Sequence, residues 1–171
     1  MTTRPKKTST PYEPSPTLTA AFAALAEAEQ QEADARHAAR QAVADELRAS
    51  EQSNARIAEH TPWTEETVRG IAKEFGIPPR PKGSAAPPYD PSPAALKALT
   101  NAFEALREAE ANTRDKTAAA RAATAEELRT ARISHAKMTP HTPWSVGTIR
   151  NIAEEYDVPP VRRPSVPSTR R

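Results

Sequence analysis

The sequence predicts an all-α protein that carries a tandem repeat of a long, alanine-rich helix followed by a short helix. Hydrophobic residues make up 37% of the 171-residue chain and aromatic residues 5%. Much of the apolar content is alanine, which favours helix but fills little core. The stretch HTPWTEETVRGIAKEFGIPPR, from His60, recurs as HTPWSVGTIRNIAEEYDVPPV, from His141. We therefore expect two related helical units with small apolar clusters.

The repeat extends well upstream of this stretch. A constant offset of 81 residues aligns Phe22 with Phe103 and continues without a gap, with nearly half of the positions identical. Further upstream, YEPSP at Tyr12 matches YDPSP at Tyr89 at an offset of 77, so the second copy has four additional residues, about one helical turn. The predicted organisation is a disordered basic tail over 1–11, a first unit over 12–77, a Pro-rich linker and lead-in over 78–93, a second unit over 94–160 and a disordered basic tail over 161–171.

Each unit is predicted to begin with a long helix, from about Thr17 to His60 and from about Ala94 to Lys137. In the first of these helices the apolar anchors are Phe22, Leu25, Val43 and Leu47, and the face between them is alanine. Strict heptads are absent, so the pattern does not establish a coiled coil. The helix could self-associate through an alanine seam, with its repeat or with a second chain, or it could be a solvated spacer.

Composition also limits the functions open to the chain. The formal net charge of +2 and a pI near 9.0 permit a nucleic-acid partner without requiring one. The absence of cysteine excludes a disulfide framework and thiolate metal sites, and no run is long and apolar enough for a signal peptide or a membrane span. We expect a cytoplasmic protein without cofactor or metal. The alanine, arginine and proline bias is typical of a high-GC, actinobacterial genome.

The repeated tryptophan lies at the predicted start of the short helix. Thr64 is expected to be the N-cap, with Glu65 at the first helical position. Trp63 then pairs with Val68 as a hydrophobic staple that sets the angle between successive helices. In the second copy Ser145 is the predicted cap, and Trp144 pairs with Ile149.

The rest of the short helix has one apolar face and a defined stop. Val68, Ile71, Ala72 and Phe75 recur at helical spacing, as do Ile149, Ile152, Ala153 and Tyr156. Gly76 is predicted at the left-handed position that ends the helix. Asp157 occupies the same position in the second copy and tolerates that conformation less well.

These residues resemble part of a known family. PWTEETVRGIAKEFGI and PWSVGTIRNIAEEYDV resemble the turn and recognition helix of helix-turn-helix DNA-binding domains. They are most similar to small proteins of actinobacteria and their phages or plasmids. The resemblance covers about 20 residues of each unit. It implies a DNA-binding transcriptional regulator or plasmid or phage accessory factor, whose recognition helices enter the major groove. The residues that it implies at the DNA are Thr64, Glu66, Thr67, Arg69 and Lys73 in the first unit, and Ser145, Thr148, Arg150 and Asn151 in the second.

Some features favour other interpretations. The helix that precedes the turn should lie in ARIAEH and in AKMTPH, where Pro140 truncates it. The first short helix is nearly neutral, which favours a helical protein-interaction scaffold without DNA binding. His60 and His141 suit helix ends better than metal binding. The four glycines form no phosphate loop, and no nucleophile lies beside a base, so we do not expect an enzyme.

Overall fold

The computed structural model describes residues 12–50, 52–78, 89 and 91–161. The predicted all-α class is confirmed, because these residues form helices and no strand. The predicted basic tails and most of the predicted linker lie outside the described residues. The helices are α1 (Pro16–Ser50), α2 (Asn54–Ala58), α3 (Glu65–Glu74), α4 (Pro93–Ala131), α5 (His135–Met138), a 3-10 helix (Thr139–His141) and α6 (Val146–Glu155).

The two long helices begin within one residue of the predicted positions. Ser15 accepts a hydrogen bond from the backbone N–H of Leu18 at 3.2 Å, and Ser92 accepts from Ala95 at 3.1 Å. A proline follows each serine, at a helical position where its missing N–H costs nothing. Helix α4 has 39 residues and α1 has 35, so the four additional residues of the second copy lengthen the helix by about one turn.

The predicted ends of the long helices, at His60 and Lys137, are wrong. Helix α1 ends at Ser50 and α4 ends at Ala131. The alanine-rich pattern continues past both positions without proline or glycine, so helix propensity alone extended the prediction too far.

An extended serine at the N-cap position of the next helix follows each of these ends. Ser53 is extended and accepts from the backbone N–H of Arg56 at 3.4 Å, which starts α2. In the second copy Arg132 is left-handed, with φ of 48°, and extended Ser134 precedes α5. An extended residue cannot continue a helix, so the chain turns at these serines.

The helices that precede the turn, α2 and α5, differ at their ends. Helix α5 ends at Met138, and the 3-10 helix that follows contains Pro140. In the first copy α2 has one residue more and no 3-10 extension. Helix α3 begins at the predicted residue, Glu65.

The described residues divide into two compact units, and both repeats contribute to each unit. One unit, here called the α2–α3 unit, comprises the described residues of 27–114. Its buried core combines residues of α1, α2 and α3 with three residues of α4. The members are Ala39, Val43, Ala44, Leu47, Ile57, Val68, Ile71, Ala72, Leu99, Phe103 and Leu106.

The other unit, here called the α5–α6 unit, comprises residues 12–26 and 115–161. Its core contains Leu18 from α1, Leu128 from α4, Met138 from α5, and Ile149 and Ala153 from α6. Each core therefore joins the start of one long helix to the end of the other long helix and to the short helices that follow that end.

Within the α2–α3 unit, polar side chains join α1 to α4, which belongs to the other repeat. Thr113 donates to the carbonyl of Ala28 at 3.1 Å, Asn112 donates to Gln31 at 3.4 Å, and Arg36 binds Glu110 at 3.3 Å. The α1 numbers rise as the α4 numbers fall, so the two helices are antiparallel here. This part of α1 therefore lies beside α4.

Candidate nucleic-acid interface

Both short helices begin at the predicted hydroxyl cap. Thr64 Oγ1 accepts from the backbone N–H of Thr67 at 3.3 Å, and the two hydroxyls lie 3.0 Å apart. Ser145 and Thr148 repeat this geometry at 3.2 and 3.0 Å. The first turn of each helix therefore holds a coupled pair of hydroxyls, and the capping member of each pair is exposed.

Each tryptophan packs beside the N-terminus of one of these helices. Trp63 is half-buried against the cluster that contains Val68, and Trp144 is half-buried against the cluster that contains Ile149. The Trp63 ring also meets Phe103 edge-on, with 4.8 Å between centroids, and Trp144 meets Phe22 at 5.0 Å. The phenylalanine contact, which the sequence did not indicate, comes in both cases from the other repeat.

The buried stripe of each short helix leaves the opposite face exposed. Val68, Ile71 and Ala72 are buried in α3, as are Ile149, Ile152 and Ala153 in α6. After the left-handed residue, the backbone N–H of Ile77 donates to the carbonyl of Ala72 in α3 at 2.8 Å. The backbone N–H of Val158 donates to the carbonyl of Ala153 in α6 at the same distance. The predicted apolar faces and helix stops are confirmed, so the face that carries Arg69 or Arg150 lies at the surface.

The two arginines have different surroundings. Arg69 is 58% exposed and pairs with Glu65 at 2.9 Å and with Glu66 at 2.6 Å. Arg150 is exposed, and no residue that the structure describes forms a salt bridge with it. The charge of Arg69 is thus locally compensated, whereas that of Arg150 is free to meet an anion.

This difference extends to the residues that precede the arginine. Arg56 pairs with Glu59 at 3.2 Å. The equivalent basic residue in the second repeat is Lys137. The three carboxylates that pair these cations in the first repeat, at Glu59, Glu65 and Glu66, are replaced by Pro140, Val146 and Gly147. Residues 54–69 thus carry two cations and three carboxylates, whereas residues 135–150 carry two cations and no carboxylate.

A shallow groove lies beside Arg69. It has a volume of about 330 Å³, and Asn54, Arg69, Ala72, Lys73 and Ile77 line it. An amide and two cationic side chains therefore share this part of the α3 surface. In the second repeat Glu154 replaces Lys73, so the later part of α6 is less basic than its first turn.

The sequence-predicted contact residues lie on two helices, one in each compact unit. Within each group they lie along one side of a short helix, exposed except for the half-buried threonines that follow the caps. The α3 group is Thr64, Glu66, Thr67, Arg69 and Lys73, and the α6 group is Ser145, Thr148, Arg150 and Asn151. Glu66 forms a salt bridge with Arg69, so in this geometry its carboxylate contacts a neighbouring side chain of the same helix.

Tyrosine and histidine form a second repeated arrangement, which sequence reasoning missed. Tyr12 donates to Glu127 at 2.8 Å and Tyr89 donates to Glu46 at 2.7 Å. Burial, then the adjacent carboxylate, raises the pKa of each tyrosine well above its ordinary value. The tyrosine rings meet His141 and His60 edge-on, both with 5.0 Å between centroids. Each exposed histidine therefore contacts a tyrosine of the other repeat. The recurrence of YEPSP as YDPSP was the sequence signal from which this repeated arrangement could have been predicted.

Comparisons with known proteins add no assignment: no family model, no curated protein and no solved structure matches this chain. Among the residues that the structure describes, no group of histidines and carboxylates could hold a metal ion. No helix in the same residues has the length and apolar character needed to cross a bilayer.

Proposed function

We infer that this chain is a sequence-specific DNA-binding protein that contacts the duplex through the exposed faces of α3 and α6. Proteins of this kind act as transcriptional regulators or as plasmid or phage accessory factors. The observation that carries the proposal is the repeated exposed arginine, Arg69 and Arg150, on a helix whose opposite face is buried. A helix docked in this way can enter the major groove with its first turn near the base edges.

The unpaired cations of the second repeat support unequal contributions of α3 and α6 to DNA binding. Within the described residues neither Lys137 nor Arg150 forms a salt bridge, and residues 135–150 contain no carboxylate, so phosphate contact there requires no ion pair to break. Arg69 must first leave Glu65 and Glu66. Exposed ion pairs are worth about 0–1 kcal/mol each, so they weaken binding without abolishing it. We therefore assign the stronger DNA contact to α6.

One local feature departs from the family pattern. Residues 59–64 connect α2 to α3, a longer connection than the roughly three- to four-residue turn of helix-turn-helix motifs. The tryptophan occupies this longer connection. We infer that the packing of Trp63 against the core fixes the geometry of this connection.

The proposal is tested by selection of random duplexes with the full-length chain, followed by titration of the selected site. Arg150→Ala is expected to weaken binding about ten- to a hundredfold, which corresponds to about 1–3 kcal/mol. Arg69→Ala is expected to weaken it less, because its charge is already compensated. Binding should also weaken steeply with salt.

Arg107→Ala is the matched control for these variants. Arg107 is exposed on α4, and its replacement removes the same charge from a helix surface outside the candidate interface. It is expected to leave affinity for the selected site nearly unchanged. Wild-type affinity in the Arg69→Ala, Arg150→Ala double variant would remove the assigned role of both helices.

A helical protein-interaction scaffold is the second candidate, and the compensated charge of Arg69 favours it. The two functions differ in retention on a DNA column at low salt and in mass by light scattering. A defined oligomer that is not retained supports the scaffold. A retained protein whose retention depends on Arg150 supports DNA binding.

A further inference from the structure

The same three residue types open both repeats and pack outside their own repeat. We call Tyr12, Leu18 and Phe22 the first anchor triplet, and Tyr89, Leu99 and Phe103 the second. The first triplet packs in the core of the α5–α6 unit, whose short helices belong to the second repeat. The second triplet packs in the core of the α2–α3 unit, whose short helices belong to the first repeat.

The contacts of the two triplets match in type and distance. Each phenylalanine meets the tryptophan of the other repeat edge-on, at 5.0 Å for Phe22 and 4.8 Å for Phe103. Each tyrosine hydroxyl donates to a glutamate of the other repeat, at 2.8 Å for Tyr12 and 2.7 Å for Tyr89. The correspondence of polar and aromatic partners shows one interface used twice.

Burial shows how much each repeat depends on the other. Leu18 is 1% exposed and Leu99 is 2% exposed, and each fills a core formed largely by the other repeat. Without its partner, a repeat would expose both its own triplet and the cavity that receives the other triplet. Exposure of this much apolar surface is costly for a unit with so small a core.

We propose that the two repeats are two subunits within one chain, held together by the anchor triplets and independent of the linker. The partner of each repeat is the other repeat of the same chain. Both triplets offer tyrosine, leucine and phenylalanine to a surface of glutamate, histidine and tryptophan. This proposal does not rest on DNA binding.

The test uses the full chain with a protease site inserted between residues 79 and 88. The folded protein is cut, and the products are separated by size-exclusion chromatography with light scattering at micromolar concentration. The two products are expected to elute together in equal amounts, with unchanged helix content, and to separate in denaturant. Their separation under native conditions, folded or unfolded, would overturn the proposal.

Variants of the cut protein test whether the triplets hold the products together. Phe22→Ala and Phe103→Ala are each expected to raise the dissociation constant of the products about a hundredfold, as for other truncations of packed phenylalanine. The control is Tyr156→Ala, because Tyr156 is half-buried at the end of α6 and is not a member of either core. It is expected to change the dissociation constant far less. Equal effects of all three variants would show that the triplets are not the interface.

Discussion

Asp157 holds a backbone conformation that its counterpart Gly76 adopts more readily. Their φ angles are 50° and 65°, and both end a helix by the same hydrogen-bond pattern. A residue with a Cβ is strained in the left-handed region, and glycine is not. We expect Asp157→Gly to stabilise the protein by about 1 kcal/mol, which raises the melting temperature by about 2–4 °C.

Gly76→Ala is the reciprocal control for this prediction. A Cβ at Gly76 would meet no atom within 4 Å, so only backbone strain opposes the substitution. Thermal unfolding should show a loss of about 1 kcal/mol. If neither substitution changes the melting temperature, the left-handed ends do not limit stability.

The half-buried tyrosines predict a loss of stability in alkali. An unfolded tyrosine loses its proton near pH 10, and the pKa values of folded Tyr12 and Tyr89 are raised above that. Below about pH 10 the contribution is complete. Above it the folded state binds more protons than the unfolded state, so stability falls as the pH rises. The slope is at most about 1.4 kcal/mol per pH unit for each tyrosine.

Denaturant unfolding between pH 8 and 11 measures this effect. The Tyr12→Phe, Tyr89→Phe double variant should be less stable at pH 8, because each glutamate loses a donor. Its stability should then depend less on pH than that of the wild type. Parallel pH profiles for the two proteins would contradict the assignment.

At the scale of the element, exchange of carboxylates between α3 and α6 should exchange their DNA affinities. Glu65→Val with Glu66→Gly gives α3 the first turn of α6 and frees Arg69. We expect this variant to bind the selected duplex about three- to tenfold more tightly, which corresponds to about 1 kcal/mol. Fluorescence anisotropy at fixed salt measures the change.

The reverse exchange, Val146→Glu with Gly147→Glu, is the matched counterpart. A Cβ at Gly147 meets only the Ser145 hydroxyl, at 3.7 Å, an ordinary contact. The helix should therefore fold normally while Arg150 gains two carboxylate partners. Binding is expected to weaken about tenfold or more. Equal affinities in both exchanged variants would refute the assignment of α6 as the stronger contact.

Local sequence signals predicted the helices better than the contacts that their side chains make. The caps at Thr64 and Ser145, the helix stops and the buried stripes follow from residues within a few positions of one another. The ends of α1 and α4 required recognition of Ser53 and Ser134 as caps within alanine-rich sequence. The arginine faces were predictable as surfaces, but the ion pairs of Arg69 depend on rotamers that spacing does not fix.

At the scale of the whole molecule, the repeat was evident from sequence but the exchange between repeats was not. Phe22 could have met Trp63 in its own repeat or Trp144 in the other, and both repeats offer the same residue types. Local reasoning cannot separate these alternatives, because they bury the same side chains against chemically identical partners. The distinction lies in chain topology, which only long-range contacts reveal.

Packing of each repeat against the other predicts where a substitution loosens the structure. Because Phe22 packs on Trp144, Phe22→Ala should loosen α5 and α6, which follow it by more than a hundred residues. Helices α2 and α3, in the same repeat as Phe22, should be affected much less. Amide hydrogen exchange measures this local opening directly, and we expect at least tenfold faster exchange in α5 and α6.

Phe103→Ala supplies the mirror experiment, since its partner is Trp63. Exchange should accelerate in α2 and α3 and remain nearly unchanged in α5 and α6. Each variant thus controls for the other, with the same side chain removed from an equivalent position. Acceleration confined to the short helices of the mutated repeat would contradict the exchanged topology. Equal acceleration in both units would show that they open as one cooperative structure, so that the triplets do not stabilise separate cores.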